Sequence, residues 1–406
     1  MKHWEKELKN MNLQNNFVNL FVSTCLSNVM ILISDNNFWG ENLKKILIIG
    51  YYHSKKDKRV FRTVKALSKK CQVSYQYLSN EDNKISFENN TKYIPVFFNI
   101  NPSENIFKKA IKRIKFDKKI LKIIKNEDFD ILYMHHFLPI FPLKPFKIAR
   151  KREKKIVFDI HEYHPENFLN SLKGKIKTFK IKIMWKIFKK QIEFSDKLVF
   201  VSEETKNDVL KKTNLKKESL VIPNYALLSV NHTKKVKEIV FVGKISRPLI
   251  KEKEILERLL KKGFTFRIIG MDSMLFKDIP HIYTNFLPYE QMMKELSKAS
   301  FSLISYQTIN DKKYKNDTLA LPHKFFDSIA AETPVIVKDT FVSMRKIVEK
   351  YGIGVVINPN NVEESVEKIL KAYENYDQLI ENIKKHKNKF VWDEEKEKKF
   401  VDFVLK

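Results

Sequence analysis

From Lys44 onward the chain alternates short β-branched runs with longer, Lys-rich amphipathic stretches, and this alternation leaves few folds open. It predicts βαβ units built around a parallel sheet. The runs are continuously apolar instead of alternating, as expected where helices cover both faces of a sheet. Six lie at 44–50, 72–78, 130–135, 155–161, 197–202 and 219–224, and six more at 238–243, 264–270, 281–287, 301–306, 333–337 and 354–358. A polar stretch, Ser229 to Lys237, separates the groups. Two doubly wound α/β domains fit this split better than one eightfold barrel. The boundaries fall at an N-terminal extension of 1–43, a first domain of 44–224 and a second of 238–385.

A length of 406 residues with 43% hydrophobic and 12% aromatic side chains supplies two sizeable cores and excludes disorder or a low-complexity architecture. Lys and Arg exceed Asp and Glu by 29, an excess suited to anionic partners. The lysines are spread along the whole chain, so part of the excess reflects general composition. Cys25 and Cys71 have no metal-ligand spacing and are too few for a disulfide framework, which makes the cytoplasm the expected compartment. Phe17 to Ile33, the longest apolar stretch outside the strand runs, is short and carries Asn19, Ser23 and Asn28, so it is not read as a bilayer crossing. Only eight glycines occur, and Gly50, Gly243 and Gly270 sit where runs give way to loops. In open parallel sheets such places face the ligand.

Chemistry concentrates in Leu319–Val337, LALPHKFFDSIAAETPVIV. Pro322 precedes an apolar helix whose first turns carry Lys324 and Asp327, and the run closes on Thr333-Pro334 before a buried strand. A helix start beside a strand-end crevice offers free N–H groups and a positive dipole end to a diphosphate. Asp327 is placed to accept hydrogen bonds from vicinal hydroxyls of a sugar.

This stretch resembles the P-x-K-x-x-[DE]-x-x-A-x-x-x-P-V-I signature of family 4 (group 1) glycosyltransferases, which have the two-domain GT-B fold. Asp57, Arg59 and Val60 are similar to the family's D-x-R-V helix start. FDILYMHH, VFDIHEYHPE, VFVSEET, LVIPNYA and EIVFVGKIS resemble its later segments in order. FVWDEEKEKKFVDFVL is similar to its Trp-containing terminal helix, placing 388–406 back on the first domain. The resemblance implies GT-B architecture, two Rossmann-like parallel-sheet domains facing across a cleft. It also implies a nucleotide-sugar-dependent, hexosyltransferase-like enzyme. Such an enzyme moves sugar from a nucleotide-diphosphate donor to a glycan or lipid-linked glycan acceptor, with retention, in bacterial-type surface polysaccharide assembly. Carried over by motif, His161 is the catalytic residue nearest the donor sugar, and Gly243, Lys244, Lys324 and either Arg247 or Lys251 serve the diphosphate. Asp327 contacts the ribose, while Glu162, Glu166 and His135 lie on the acceptor side. No cofactor is expected, since the nucleotide sugar is a substrate, and no metal.

The chain departs from the family pattern at three places. Leu319 stands eight residues before Asp327, where a first carboxylate is usual, so Asp317 is the nearest replacement. Glu332 replaces a glycine, and the first loop, YYHSKKDKR, is not glycine-rich. His135, His136, His161 and His164 lack carboxylate or cysteine partners at ligand spacing, which argues against a metal. Ser171–Phe194 interleaves eight lysines with Ile, Phe, Met and Trp185 and fits either an anionic membrane at the inner face or a core-packing helix with a basic outer side. Its aromatics form no stacking platform, so no nucleic acid is expected as partner. Two rivals stay open: a non-catalytic GT-B scaffold binding a glycan or partner, and a basic nucleic-acid-binding protein.

Overall fold

The computed structural model describes residues 43–406 apart from 82, 100, 102, 136–138, 164–173, 232, 234, 244–248, 271–275 and 307–314. Phe17 to Ile33 and Cys25 lie outside the described residues; among those described, no helix is long and apolar enough to cross a membrane.

Two mostly parallel sheets organise the chain. The first contains β1 (Lys45–Ser54), β2 (Gln72–Ser79), β3 (Ser86–Glu88), β4 (Thr91–Phe97), β5 (Ile131–His135), β6 (Lys155–Ile160), β7 (Lys197–Phe200) and β8 (Glu218–Val221). Their spatial order is β3-β4-β2-β1-β5-β6-β7-β8. The second contains β9 (Val236–Gly243), β10 (Thr265–Gly270), β11 (Ile282–Asn285), β12 (Ala299–Ile304), β13 (Val335–Lys338) and β14 (Gly354–Ile357), ordered β11-β10-β9-β12-β13-β14. In each sheet the order reverses once, between β1 and β5 and between β9 and β12. That reversal opens a crevice at the strands' carboxyl ends.

The first sheet is flanked by α1 (Lys58–Ser68), α2 (Ile106–Asn126), α3 (Lys144–Lys151), α4 (Gly174–Phe194) and α5 (Glu203–Thr213). Around the second are α6 (Ile250–Lys261), α7 (Tyr289–Leu296), α8 (Lys315–Thr318), α9 (His323–Ala330), α10 (Val342–Tyr351), α11 (Val362–Glu374) and α12 (Tyr376–His386). The last helix, α13 (Glu394–Leu405), returns to the first sheet, where Phe400, Val401 and Val404 join the core formed by β1, β2, β5 and α1. The chain therefore crosses between lobes twice. The crossings touch: Ala226 N–H donates to Phe390 O at 3.0 Å and Trp392 N–H to Ala226 O at 2.8 Å.

Two sequence expectations need correction. The first sheet has a β3–β4 pair that the apolar pattern missed, because Pro95 interrupts β4 and β3 is exposed throughout. Proline is tolerated there because β3 covers β4 only as far as Tyr93, so Pro95 lies where β4 is again an edge. Gly50 does not end a strand, since β1 continues to Ser54. A Cβ at Gly50 would lie 2.8 Å from Gln76 O and from the Tyr75 ring, so its role is close strand packing, not ligand approach.

Candidate active site

Between the sheets lies a cavity of about 280 Å³. His161, Glu162 and Tyr163, just past the end of β6, wall it from one side, and Phe241, Ser305 and Tyr306 from the other; 315–317 and 319–322 line much of the rest. It occupies the strand-end crevice that the sheet order predicts for a ligand.

On the second lobe, the ends of β9 and β10 meet at two glycines. Gly243 has φ +107° and Gly270 φ +130°, and a Cβ on Gly270 would lie 3.0 Å from Gly243 O. Nearby, α9 begins at Pro322 with no side chain capping its amide groups. Lys324, in its first turn, is half-buried as a residue, but its ammonium sits 4.1 Å from the Phe241 ring centroid and 5.2 Å from that of Tyr306. No carboxylate pairs with it among the described residues. Burial lowers its pKa to about 7. An enclosed cation without an anion is a prepared site for a negatively charged ligand. The adjoining Ser305 is held by Glu252, which accepts its hydroxyl hydrogen bond at 2.5 Å and an ammonium contact from Lys338 at 3.1 Å.

On the first lobe Asp57 and Arg59 have partners, whereas the equally buried Arg62 donates to the Pro223 carbonyl and stacks on the Trp392 ring. Asp57 caps α1, accepting from the N–H groups of Arg59 and Val60 at 3.2 Å, and contacts His53 Nδ1 at 3.0 Å. Arg59 is buried and pairs with Asp159 at the end of β6, 2.7 Å away, while also donating to Ile222 O and Asn224 Oδ1. Tyr133 donates to the same carboxylate at 3.0 Å. Burial alone would raise the Asp159 carboxyl, but Arg59, with His135 and His161, holds it well below the ordinary carboxylate range. His135 is fully buried, which drives its imidazole well below the usual pKa. Neither of its ring nitrogens has a hydrogen-bond partner among the described residues. The His161 ring stands 5.0 Å from that of His53 and 5.9 Å from that of His135.

A third cluster joins the lobes. Lys58, the first residue of α1, donates to Asp327 Oδ1 on α9 at 2.5 Å, and the Tyr289 hydroxyl donates to the same oxygen at 2.7 Å. Lys58 also lies 4.3 Å from the Tyr289 ring centroid. Burial lowers the Lys58 pKa against the pull of Asp327, and raises that of Asp327 despite Lys58.

The structure brings His161, Glu162 and Lys324 to the cleft, with Gly243 at the end of β9. Lys244, Arg247 and Glu166 lie outside the described residues. Two expectations, those for Lys251 and His135, are corrected. Lys251 is exposed in the first turn of α6, 3.7 Å from Glu254, and does not line the cavity, because its helix turns that side to solvent. His135 cannot touch an acceptor directly, since β5 is central and the rings of Tyr133, His53 and His161 surround it. Asp327 is off the cavity wall, in the pair with Lys58. Asp317 is buried and lines the cavity, while Leu319 at the missing carboxylate position offers its carbonyl to the Ser202 and Ser343 hydroxyls.

A carboxylate partner for the histidines does exist, contrary to the sequence reading: donor atoms of His135, Asp159 and His161 lie within 4.8 Å of one another, a spacing able to hold a cation. Asp159 already carries the Arg59 guanidinium, whose positive charge opposes a second cation there. The residues sequence reasoning missed are Lys58, Arg59, Asp159, Glu252 and Tyr289. Arg59 and Asp159 stand inside the D-x-R-V and D-x-H segments, so a signal for them was present.

Residues 58–225 match the family described as Glycosyltransferase Family 4, and residues 239–392 match the C-terminal domain of Glucosyltransferase 3-like proteins. No curated protein sequence matches the chain. Among solved structures, sucrose-phosphate synthase from Thermosynechococcus elongatus aligns with a TM-score of 0.61 at 12% identity, covering 88% of this chain and 98% of that one. WaaG, a glycosyltransferase involved in lipopolysaccharide biosynthesis, aligns with a TM-score of 0.59 at 12% identity over 89% and 99%. Anabaena HepE in complex with UDP gives 0.60 at 10% identity over 89% and 99%. Since the two family matches occupy the two lobes that face this cleft, the chain is a glycosyltransferase of GT-B architecture whose first lobe matches Glycosyltransferase Family 4 and whose second matches the Glucosyltransferase 3-like C-terminal domain.

Proposed function

We propose that the protein takes a sugar from a nucleotide-diphosphate donor, taken as UDP-linked because Anabaena HepE binds UDP, and transfers it with retention to a glycan or lipid-linked glycan in surface polysaccharide assembly. The carrying observation is Lys324: an enclosed, unmatched ammonium in the first turn of an uncapped helix at the strand-end crevice. When the bond between the anomeric carbon and the diphosphate oxygen breaks, its electron pair leaves on the diphosphate. Lys324 and the α9 amide groups meet that added charge, and this differential stabilisation lowers the barrier. Lys244 and Arg247 supply further positive charge in this reading. His161 faces the donor sugar across the cleft, held by the ring cluster that includes His135, and Glu162, with Glu166, serves the acceptor. Asp327 reaches the ribose once the nucleotide displaces Lys58.

The protein acts at the cytoplasmic side of a membrane, without metal, cofactor or nucleic acid. Release of UDP from a panel of nucleotide sugars tests the reading: turnover with one donor, lost in Lys324→Met and His161→Ala, supports it. A chain that binds glycans but releases no nucleotide is the non-catalytic scaffold instead.

A further inference from the structure

The four most exposed large apolar side chains among the described residues are Ile106 and Phe107 (82% and 80%) on α2 and Ile176 and Phe179 (64% and 65%) on α4. Ile111 and Ile183 continue each stripe at helical spacing. Both helices are 21 residues long, yet their buried residues begin only at Phe116 and Phe188. The first ten residues of α2, about 15 Å of helix, thus include no fully buried residue. The two helices follow β4 and β6, strands of one parallel set, so both exposed halves lie at the carboxyl end of the sheet, where the cavity opens. Between Ile106 and Lys115 there are five basic and no acidic residues, and between Gly174 and Ile183 four basic and none acidic. The intervening α3, KPFKIARK, has no acid either.

We propose that the amino-terminal halves of α2 and α4 form a docking surface for an anionic phospholipid membrane and set the cleft against its headgroups. Apolar side chains ringed by lysines match a layer with negative headgroups above hydrocarbon. A second copy would bring like charges together. Residues 1–42 carry three lysines against four carboxylates, too little negative charge to neutralise the face. The purpose of this surface rests on the glycosyl-transfer reading, but its existence is measured separately. The full chain is sedimented with vesicles of phosphatidylcholine alone, or with about one quarter phosphatidylglycerol, while UDP binding is followed by thermal shift. Binding to the anionic vesicles only, weakened by salt and reduced about tenfold or more by Phe107→Asp with Phe179→Asp, supports the proposal; unchanged UDP binding in that variant shows that it folds. Equal binding to neutral vesicles, no binding to anionic ones at low salt, undiminished binding by a folded double variant, or displacement from vesicles by duplex DNA would each overturn it. Loss of UDP binding by the wild-type chain overturns the transfer reading alone.

Discussion

The two strand-end surfaces that face each other carry their positive charge in opposite ways. On the first lobe, Arg59 is matched by Asp159, satisfied by two further acceptors, and closed off from solvent. On the second, Lys324 is enclosed by two rings, with the Ser305 carbonyl at 3.4 Å and no carboxylate partner among the described residues. A matched, buried charge serves the fold, because each partner has already replaced the water it lost. An unmatched one costs stability and is retained for what binds later. One cleft thus has a built wall and a waiting wall.

The comparison breaks first at Arg59. Arg59→Met leaves the Asp159 carboxylate buried without its partner and should cost about 3–5 kcal/mol, read from the urea unfolding midpoint. Equal stability would mean that the first lobe's charges are not structural. Lys324→Met should do the reverse, with unfolding unchanged or slightly stabilised and UDP affinity reduced by about 1.5–3 kcal/mol in calorimetry. Acidity sharpens the contrast further. Since burial places the Lys324 pKa at about 7 in the empty site, and a bound diphosphate favours its charged form, UDP affinity should fall as pH rises above that value. The slope can reach about tenfold per pH unit and should flatten in Lys324→Arg, which stays charged. The smallest expected effect is that of chelation: EDTA should leave nucleotide release unchanged, and a loss restored by a divalent cation would assign His135, Asp159 and His161 to a metal after all.

The strand runs and the polar connector made both sheets legible, because helices on both faces force continuous apolar runs that differ sharply from Lys-rich helices. β4 was hidden by Pro95, and β3 by its full exposure, which removes its apolar signal. His161 and Lys324 were readable because each sits beside a strand end or helix start, positions that local sequence marks. The partner of Asp327 was not, since Lys58 lies 269 residues away and only the closing of the two lobes brings them together. Lys251 was misplaced for a related reason: charge near a glycine loop says nothing about which side of the following helix it occupies.

The paired crossings near Ala226 and Phe390 form a two-ply strap, hydrogen-bonded ply to ply. Because the plies are bonded to each other, a load that pulls the halves apart is shared by both connections instead of falling on one. The strap also makes the molecule tolerant of a single break: a protease that nicks one ply leaves the halves still tethered through the other.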